Sequence, residues 1–238
     1  MKVIPEEDVL LHGSIAEWEK LIANDRSPTG LDIYPDIFHN GILFPLQRMR
    51  ETEMMIAMAR TINPKRVMEI GSDKGGSFYH WVKAFSPEKA IAIEIRGIPF
   101  EESFPRAFPD TQFFFAADSS YDPEIVRAVS RFIGPGFLDC IFIDGDKGGF
   151  MKDVQSYLPM VRRGGLIFLH DVTEVESARE AMRFCEREYR MRTEVFVDTF
   201  EYDEIHRREL SGIPPADAYE GWFRYWKRSS CGVGVIHV

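Results

Sequence analysis

Residues 66–77, Arg-Val-Met-Glu-Ile-Gly-Ser-Asp-Lys-Gly-Gly-Ser, constrain the fold of this chain more than any other stretch. Val67, Met68 and Ile70 form the short apolar run of a buried strand, Gly71, Gly75 and Gly76 supply a turn, and the spacing from Ser77 to Phe85 is helical. A strand that feeds a helix through such a turn belongs in a parallel sheet. The helix then points its first N–H groups, with their partial positive charge, beyond the strand's carboxyl end, where nucleotide-like ligands bind.

The pattern continues downstream. Strands are expected at 66–71, 90–95, 111–116, 138–144, 166–170, 194–198 and 232–238. The first five are apolar runs separated by segments able to hold helices, as in parallel strands covered on both faces. Asp122-Pro123 supplies an N-cap and an N1 proline for one helix. Met151, Val154, Leu158 and Val161 stripe the next, with its end expected at Gly164-Gly165. Thr173-Glu-Val-Glu176 reads as a capping box opening a helix to Tyr189, whose Glu and Arg residues form a solvated face.

Upstream, Ser14-Ile-Ala-Glu17 is another capping box, for a helix to about Asn24. Residues 27–44, rich in Pro, Gly, Asp and Asn, read as a loop that can cover a site, and a helix at 45–62 stops at Asn63-Pro64. The expected organisation is a cap of N-terminal helices and loop at 1–63, then one doubly wound α/β domain at 64–238. An insert at 199–230 interrupts that domain before its last strand, and its Tyr202, Tyr219, Trp222, Phe223, Tyr225 and Trp226 suit a substrate lid and a packing element equally.

Charge excludes some partners. With 38 acidic and 29 basic residues the formal net charge is −9, and no basic cluster stands apart from acids, which argues against nucleic acid. Glu6, Glu7 and Asp8 sit where a secretory signal has its apolar core, and no stretch reaches the length of a membrane span, so a cytoplasmic protein with no membrane partner is expected. Cys140, Cys185 and Cys231 are too scattered for a disulfide framework or a zinc cluster, and Cys140 reads as a buried free thiol.

A dinucleotide fingerprint beginning at Gly71 needs glycine at position 73, but Asp73 stands there, a carboxylate beside the place for a diphosphate. The Gly-Lys-Ser/Thr phosphate signature is missing as well. S-adenosylmethionine, which has no phosphate, suits the loop. Glu69 and the backbone around Gly71 can accept from its ammonium, Glu94 from its ribose hydroxyls, and Asp118 from its adenine amino group. The expected donor-binding set is Glu69, Gly71, Ser72, Gly75, Gly76, Ser77, Glu94, Asp118, Ser119 and Asp144.

On these residues the chain resembles the class I S-adenosylmethionine-dependent methyltransferases over 45–238. The carriers are E-I-G-S-D-K-G-G-S at 69–77, I-E at 93–94, A-D-S-S at 117–120, F-I-D-G-D-K at 142–147 and G-G-L-I-F-L-H-D at 164–171. The paired glycines and the closing L-H-D look most like the branch with the cephalosporin hydroxylase-like proteins and the macrolide sugar O-methyltransferases. The resemblance implies a Rossmann-like seven-stranded sheet, mostly parallel with an antiparallel last strand, and a homodimer.

Asp144, His170 and Asp171 end two strands that should be neighbours, so they can converge on a divalent metal that holds a substrate hydroxyl and eases loss of its proton. Resemblance to the catechol-type and sugar-methylating enzymes implies metal ligands at these three positions, most often for magnesium. His170 departs from the acid found in those relatives, and a nitrogen donor shifts preference towards manganese, iron or zinc. Lys147 matches the general-base lysine of the catechol-type enzymes, and partial desolvation near a metal would lower its pKa. In the competing reading Asp144 contacts the donor, His170 and Asp171 cap the following helix, and Lys147 is solvated. Asp146 is an alternative base or a supporting partner, and His206 is within conceivable reach of the site. The expected function is metal-assisted O-methylation of a small hydroxylated molecule, a sugar or a phenol, with Asp144 and Lys147 as the catalytic residues. The alternatives are a metal-independent N- or O-methyltransferase and a non-catalytic cofactor-binding or assembly protein.

Overall fold

The structure, a computed structural model, describes residues 22–26, 28, 47, 49–198 and 231–238. The expected capping box at 14–17, nearly all of the 27–44 loop, the 199–230 insert and His206 lie outside the described residues.

The five apolar runs become parallel strands: β1 Arg66–Ile70, β2 Lys89–Ile93, β3 Gln112–Ala116, β4 Leu138–Ile143 and β5 Val161–His170. β6 Arg192–Phe196 and β7 Val233–His237 complete a seven-stranded sheet of order β3-β2-β1-β4-β5-β7-β6. β7 runs antiparallel to both β5 and β6, as expected of the last strand. From β1 the chain steps outward to β2 and β3, then returns to β4 on the other side. The carboxyl ends of β1 and β4 therefore flank the switch point at which open α/β sheets bind ligands.

Among the described residues the sheet is covered by α1 Met49–Arg60, α2 Gly76–Phe85, α3 Ser103–Ala107, α4 Pro123–Ile133, α5 Phe150–Tyr157 and α6 Glu176–Tyr189. The period of two along each strand divides the core. Val67, Phe142 and Phe168 pack on one face against Tyr79, Trp81 and Phe104 of α2 and α3 and Met55 of α1. Met68, Ile70, Ile141 and Ile167 pack on the other against Val129, Val154 and Ala181 of α4, α5 and α6. Cys140 is free and buried, and burial with Asp139 beside it raises its pKa.

Several expected boundaries move. Gly164-Gly165 does not end a helix: α5 stops at Tyr157, a 3-10 turn containing Pro159 spans Leu158–Met160, and both glycines lie inside β5. A Cβ on Gly165 would stand 2.9 Å from the Asp139 carbonyl oxygen, and the β4–β5 register slips between Leu138 and Cys140, so the glycines serve an irregular strand. Thr173 is not a cap. Its hydroxyl donates to the Cys231 carbonyl at 2.9 Å, and α6 starts after Val175 with no side-chain cap. β6 begins at Arg192, two residues before its expected start. By contrast Asp122 caps α4 as expected, accepting from the Glu124 N–H at 2.7 Å with Pro123 in the first turn. Among the described residues no helix is long and apolar enough to cross a membrane.

Candidate active site

A cavity of about 490 Å³ opens at the carboxyl ends of β1, β2, β4 and β5. Its first end grows from the glycine turn. Gly71 leaves β1 at φ +81, and a Cβ there would lie 2.4 Å from the Asp144 carbonyl oxygen, so only glycine lets these two strand ends approach. The Gly71 N–H donates to the Ile93 carbonyl and the Asp144 N–H to the Ile70 carbonyl, both at 2.8 Å, stitching the ends of β1, β2 and β4 together. Gly75, at φ +88, starts α2 against the Phe100 ring.

Glu94 follows β2, nearly buried, and accepts from the Asp73 and Arg96 N–H groups, each at 3.0 Å. The Arg96 guanidinium reaches Asp73 at 3.0 Å. Burial still pushes the Asp73 pKa up, against the pull of Arg96. Glu69 is fully buried and accepts from the Ser77 hydroxyl. Burial raises its pKa well above the ordinary range; Ser77 opposes this, and Asp144 and Glu94 add to it. After β3, the exposed Asp118 accepts from the Ser119 N–H at 2.7 Å. The next residue is anchored from α5, Ser120 donating to Asp153 and its carbonyl accepting from the Tyr157 hydroxyl, both at 2.5 Å. Glu69 Oε2, Ser72 Oγ and Ser119 Oγ are buried and make no hydrogen bond among the described residues. Orphaned polar atoms beside a concave, phosphate-free cradle fit a polar ligand such as S-adenosylmethionine.

The second end gathers charge from the loop after β4 and the end of β5. His170 Nδ1 lies 3.2 Å from Asp144 Oδ1 and 3.1 Å from Asp171 Oδ1, and its Nε2 lies 3.4 Å from Glu51 Oε2. Lys147 Nζ stands 2.6 Å from Asp144 Oδ1 and pairs with Asp171 as well. Gln47 donates to Asp144 Oδ2 at 2.7 Å. Burial alone would raise the Asp144 pKa, but His170 and then Lys147 pull it below its ordinary value. Asp171 is lowered by the same two residues, again against burial. For His170, burial is outweighed by Asp144 and by hydrogen bonds to Asp144, Asp171 and Glu51, so its pKa rises well above normal.

Lys147 departs from expectation. Burial works to lower its pKa, yet Asp144 and Asp171 together raise it, so the ammonium is held charged rather than poised as a base.

The cluster suits a divalent cation. Donor atoms of Asp144, His170 and Asp171 lie within 4.8 Å of one another, and Glu51 stands behind the imidazole as an outer partner. The Asp144 and Asp171 carboxylates already draw the His170 ring and the Lys147 ammonium onto this one point.

Gly71, Ser72, Ser77, Glu94, Asp118, Ser119, Asp144, Lys147, His170 and Asp171 therefore line one cavity, together with Asp146. Glu69, Gly75 and Gly76, expected in the same set, are not among its described lining residues, and Glu69 is linked to it through Ser77. Sequence reasoning missed Gln47 and Glu51. For Glu51 the signal was present, because residues 51, 55 and 59 fall four apart and a polar residue on the buried stripe of a helix calls for a buried partner, whereas Gln47 lies before that helix.

Residues 68–172 match the family described as a methyltransferase domain. No curated protein matches the chain in sequence. Among solved structures it is similar to the O-methyltransferase TomG from Streptomyces achromogenes, involved in tomaymycin synthesis and solved with S-adenosylmethionine. That likeness has 15% identity and a TM-score of 0.63, and covers 99% of each chain. It is also similar to the O-methyltransferase from Bacillus cereus solved with S-adenosylhomocysteine, at 12% identity and a TM-score of 0.63, over 95% of this chain and 98% of that one. At such identities the structural likeness shows a shared fold.

Proposed function

We propose that this chain, a class I S-adenosylmethionine-dependent methyltransferase, methylates a hydroxyl oxygen of a small molecule, a sugar or a phenol, with a divalent cation held by Asp144, His170 and Asp171. The observation that carries the reading is a single cavity with two chemically distinct ends. At one end Glu94 faces the place of a ribose, Asp118 and Ser119 that of an adenine, and Ser72, Ser77 and the Gly71 backbone that of an amino acid group. S-adenosylmethionine brings a methyl group on a sulfonium, ready for direct displacement. At the other end a cation supplies Lewis acidity, which acidifies an acceptor hydroxyl and fixes its oxygen. A cation would take over the two carboxylates that now hold the Lys147 proton, and only then could Lys147 serve as the base, with Asp144 between the two ends. Magnesium follows from the resemblance, whereas the imidazole donor favours manganese, iron or zinc. Residues 1–63 as a cap and 199–230 as the insert would choose the acceptor, in a cytoplasmic homodimer.

The test combines the protein, S-adenosylmethionine and a panel of sugars and phenols, with and without chelator, and locates the new methyl by mass spectrometry and NMR. The expected product is a methyl ether, formed only when chelator is absent or the cation is restored. Undiminished transfer in excess chelator would remove the cation, and methylation at nitrogen would remove the hydroxyl acceptor. A second reading, catalysis without metal, is favoured by the bridge of the Lys147 ammonium between Asp144 and Asp171, which sets a fixed positive charge between the carboxylates a cation would use. Under it chelator has no effect and Lys147→Met alone stops transfer.

A further inference from the structure

We infer that Glu51 is a positioning residue for the cation site, fixing the His170 ring so that Nδ1 is the nitrogen presented to a metal. The inference rests on the cation reading above. Glu51 lies on the stripe of α1 that otherwise buries Met55, Ile56 and Ala59, and it is itself fully buried. A carboxylate in such a place costs several kcal/mol unless it is partnered, on the order of the penalty for any buried ion. Its two oxygens face two donors on different elements. Oε1 accepts from the Gly232 N–H at 3.2 Å, just before β7, and Oε2 faces His170 Nε2 at 3.4 Å, at the end of β5.

This geometry assigns the imidazole nitrogens. Without a cation both ring nitrogens face carboxylates and the ring holds both protons; once a cation replaces the proton on Nδ1, Glu51 beyond Nε2 keeps the remaining proton there and the lone pair falls on Nδ1. Nδ1 is the atom that points between Asp144 and Asp171. A metal-binding histidine whose other nitrogen donates to a carboxylate is held in orientation and tautomer, and loss of that partner typically weakens metal affinity by about 10- to 100-fold. Glu51 is 119 residues from His170 in the chain and is not among the described lining of the cavity, so it contributes to the site from behind.

Glutamine at position 51 reverses the assignment with little change of shape. Its carbonyl can keep the Gly232 N–H, but its amide then donates towards Nε2, which must accept, and the ring proton moves to Nδ1. The experiment titrates Mn²⁺ into the full chain, wild type, Glu51→Gln and Glu51→Asp, by calorimetry. S-adenosylhomocysteine affinity and melting temperature are measured on the same samples, and ¹⁵N-histidine spectra are recorded with Zn²⁺. Expected are a drop in Mn²⁺ affinity of about 10- to 100-fold for Glu51→Gln, retention within a few-fold for Glu51→Asp, unchanged S-adenosylhomocysteine affinity, and Zn²⁺ on Nδ1 in the wild type. Equal Mn²⁺ affinity in wild type and Glu51→Gln, or Zn²⁺ on Nε2, would overturn the inference alone. Failure of the wild type to bind Mn²⁺ or Zn²⁺ would overturn the cation reading, and the inference with it.

Discussion

At the acceptor end of the cavity the carboxyls of Asp144 and Asp171 lie below their ordinary pKa range, whereas around the donor end those of Glu69, Asp73 and Asp153 lie above it. All five are removed from water to some degree, and burial pushes every one of them upward. The difference comes from partners. Asp144 and Asp171 have His170 and Lys147 within ion-pair distance, while Glu69 and Asp153 are answered by the hydroxyls of Ser77 and Ser120. A hydroxyl satisfies a carboxyl without neutralising its charge, so desolvation wins there and loses at the acceptor end. The acceptor end is thus a preassembled charge cluster, whereas at the donor end Glu69 and Asp153 sit in a hydrogen-bonded cradle and Asp73 keeps a raised pKa despite its pair with the exposed Arg96.

If the two ends are functionally separate, substitution at the acceptor end should abolish chemistry and spare donor binding. Asp171→Asn removes a charge from the cluster and leaves the glycine turn untouched. Turnover is expected to fall by about 10³-fold, the several kcal/mol carried by a cation site, while S-adenosylhomocysteine affinity measured by calorimetry stays within about threefold. An equal loss of both would break the comparison, because it would make the cluster part of the donor cradle.

Gly71→Ala attacks the seam instead. The new Cβ would stand 2.4 Å from the Asp144 carbonyl oxygen and 2.5 Å from its carbonyl carbon, at φ +81, and neither atom belongs to a side chain that can swing away. The expected cost is about 3 kcal/mol of stability from strain and overpacking together, read by chemical denaturation, with donor affinity and turnover falling in parallel. Gly97→Ala is the control. It also has positive φ, +103, but open space around the added carbon, and should cost only about 1 kcal/mol. Equal costs would mean that backbone conformation, and not the approach of β1 to β4, sets the requirement at Gly71.

The donor end was the more legible of the two in the sequence, and the comparison explains why. A strand, a glycine turn and acids at successive strand ends are local patterns, and the parallel topology follows from apolar runs without alternation. Convergence of Asp144, His170 and Asp171 could also be anticipated, because β4 and β5 had to be neighbours. The spacing of Glu51 announced a buried polar residue but not its partner, and nothing announced Gln47, since they reach His170 and Asp144 across 119 and 97 residues of chain. The state of Lys147 was misjudged for a related reason. Its three-residue distance from Asp144 was visible, but its simultaneous contact with Asp171 depends on how two loops meet in space. Thr173 shows the same limit on a smaller scale, its hydroxyl being taken by the Cys231 carbonyl, 58 residues away, in place of a helix N-terminus.

The smallest expected effect tests the donor end by itself, at Asp153. This buried carboxyl lies beneath the loop that follows β3, accepts from Ser120 with Oδ1, and leaves Oδ2 without a hydrogen bond among the described residues. Burial raises its pKa to about 6, with Asp146 adding to the rise and Ser120 and Lys152 opposing it. An acid whose folded pKa is raised costs nothing when both folded and unfolded forms are protonated. The cost grows as pH climbs from the ordinary carboxyl value of 3.8 towards 6, and is complete above that. Asp153→Asn keeps an acceptor for Ser120 and removes the titration. Any loss from its buried amide is the same at every pH, so the informative quantity is the change in the stability difference. Relative to wild type, Asp153→Asn should gain about 2 kcal/mol between pH 4 and pH 8, measured by denaturant unfolding across that range. A flat difference would mean that the charge beneath the loop is answered after all, and the contrast between the two ends would then rest on Glu69 and Asp73 alone.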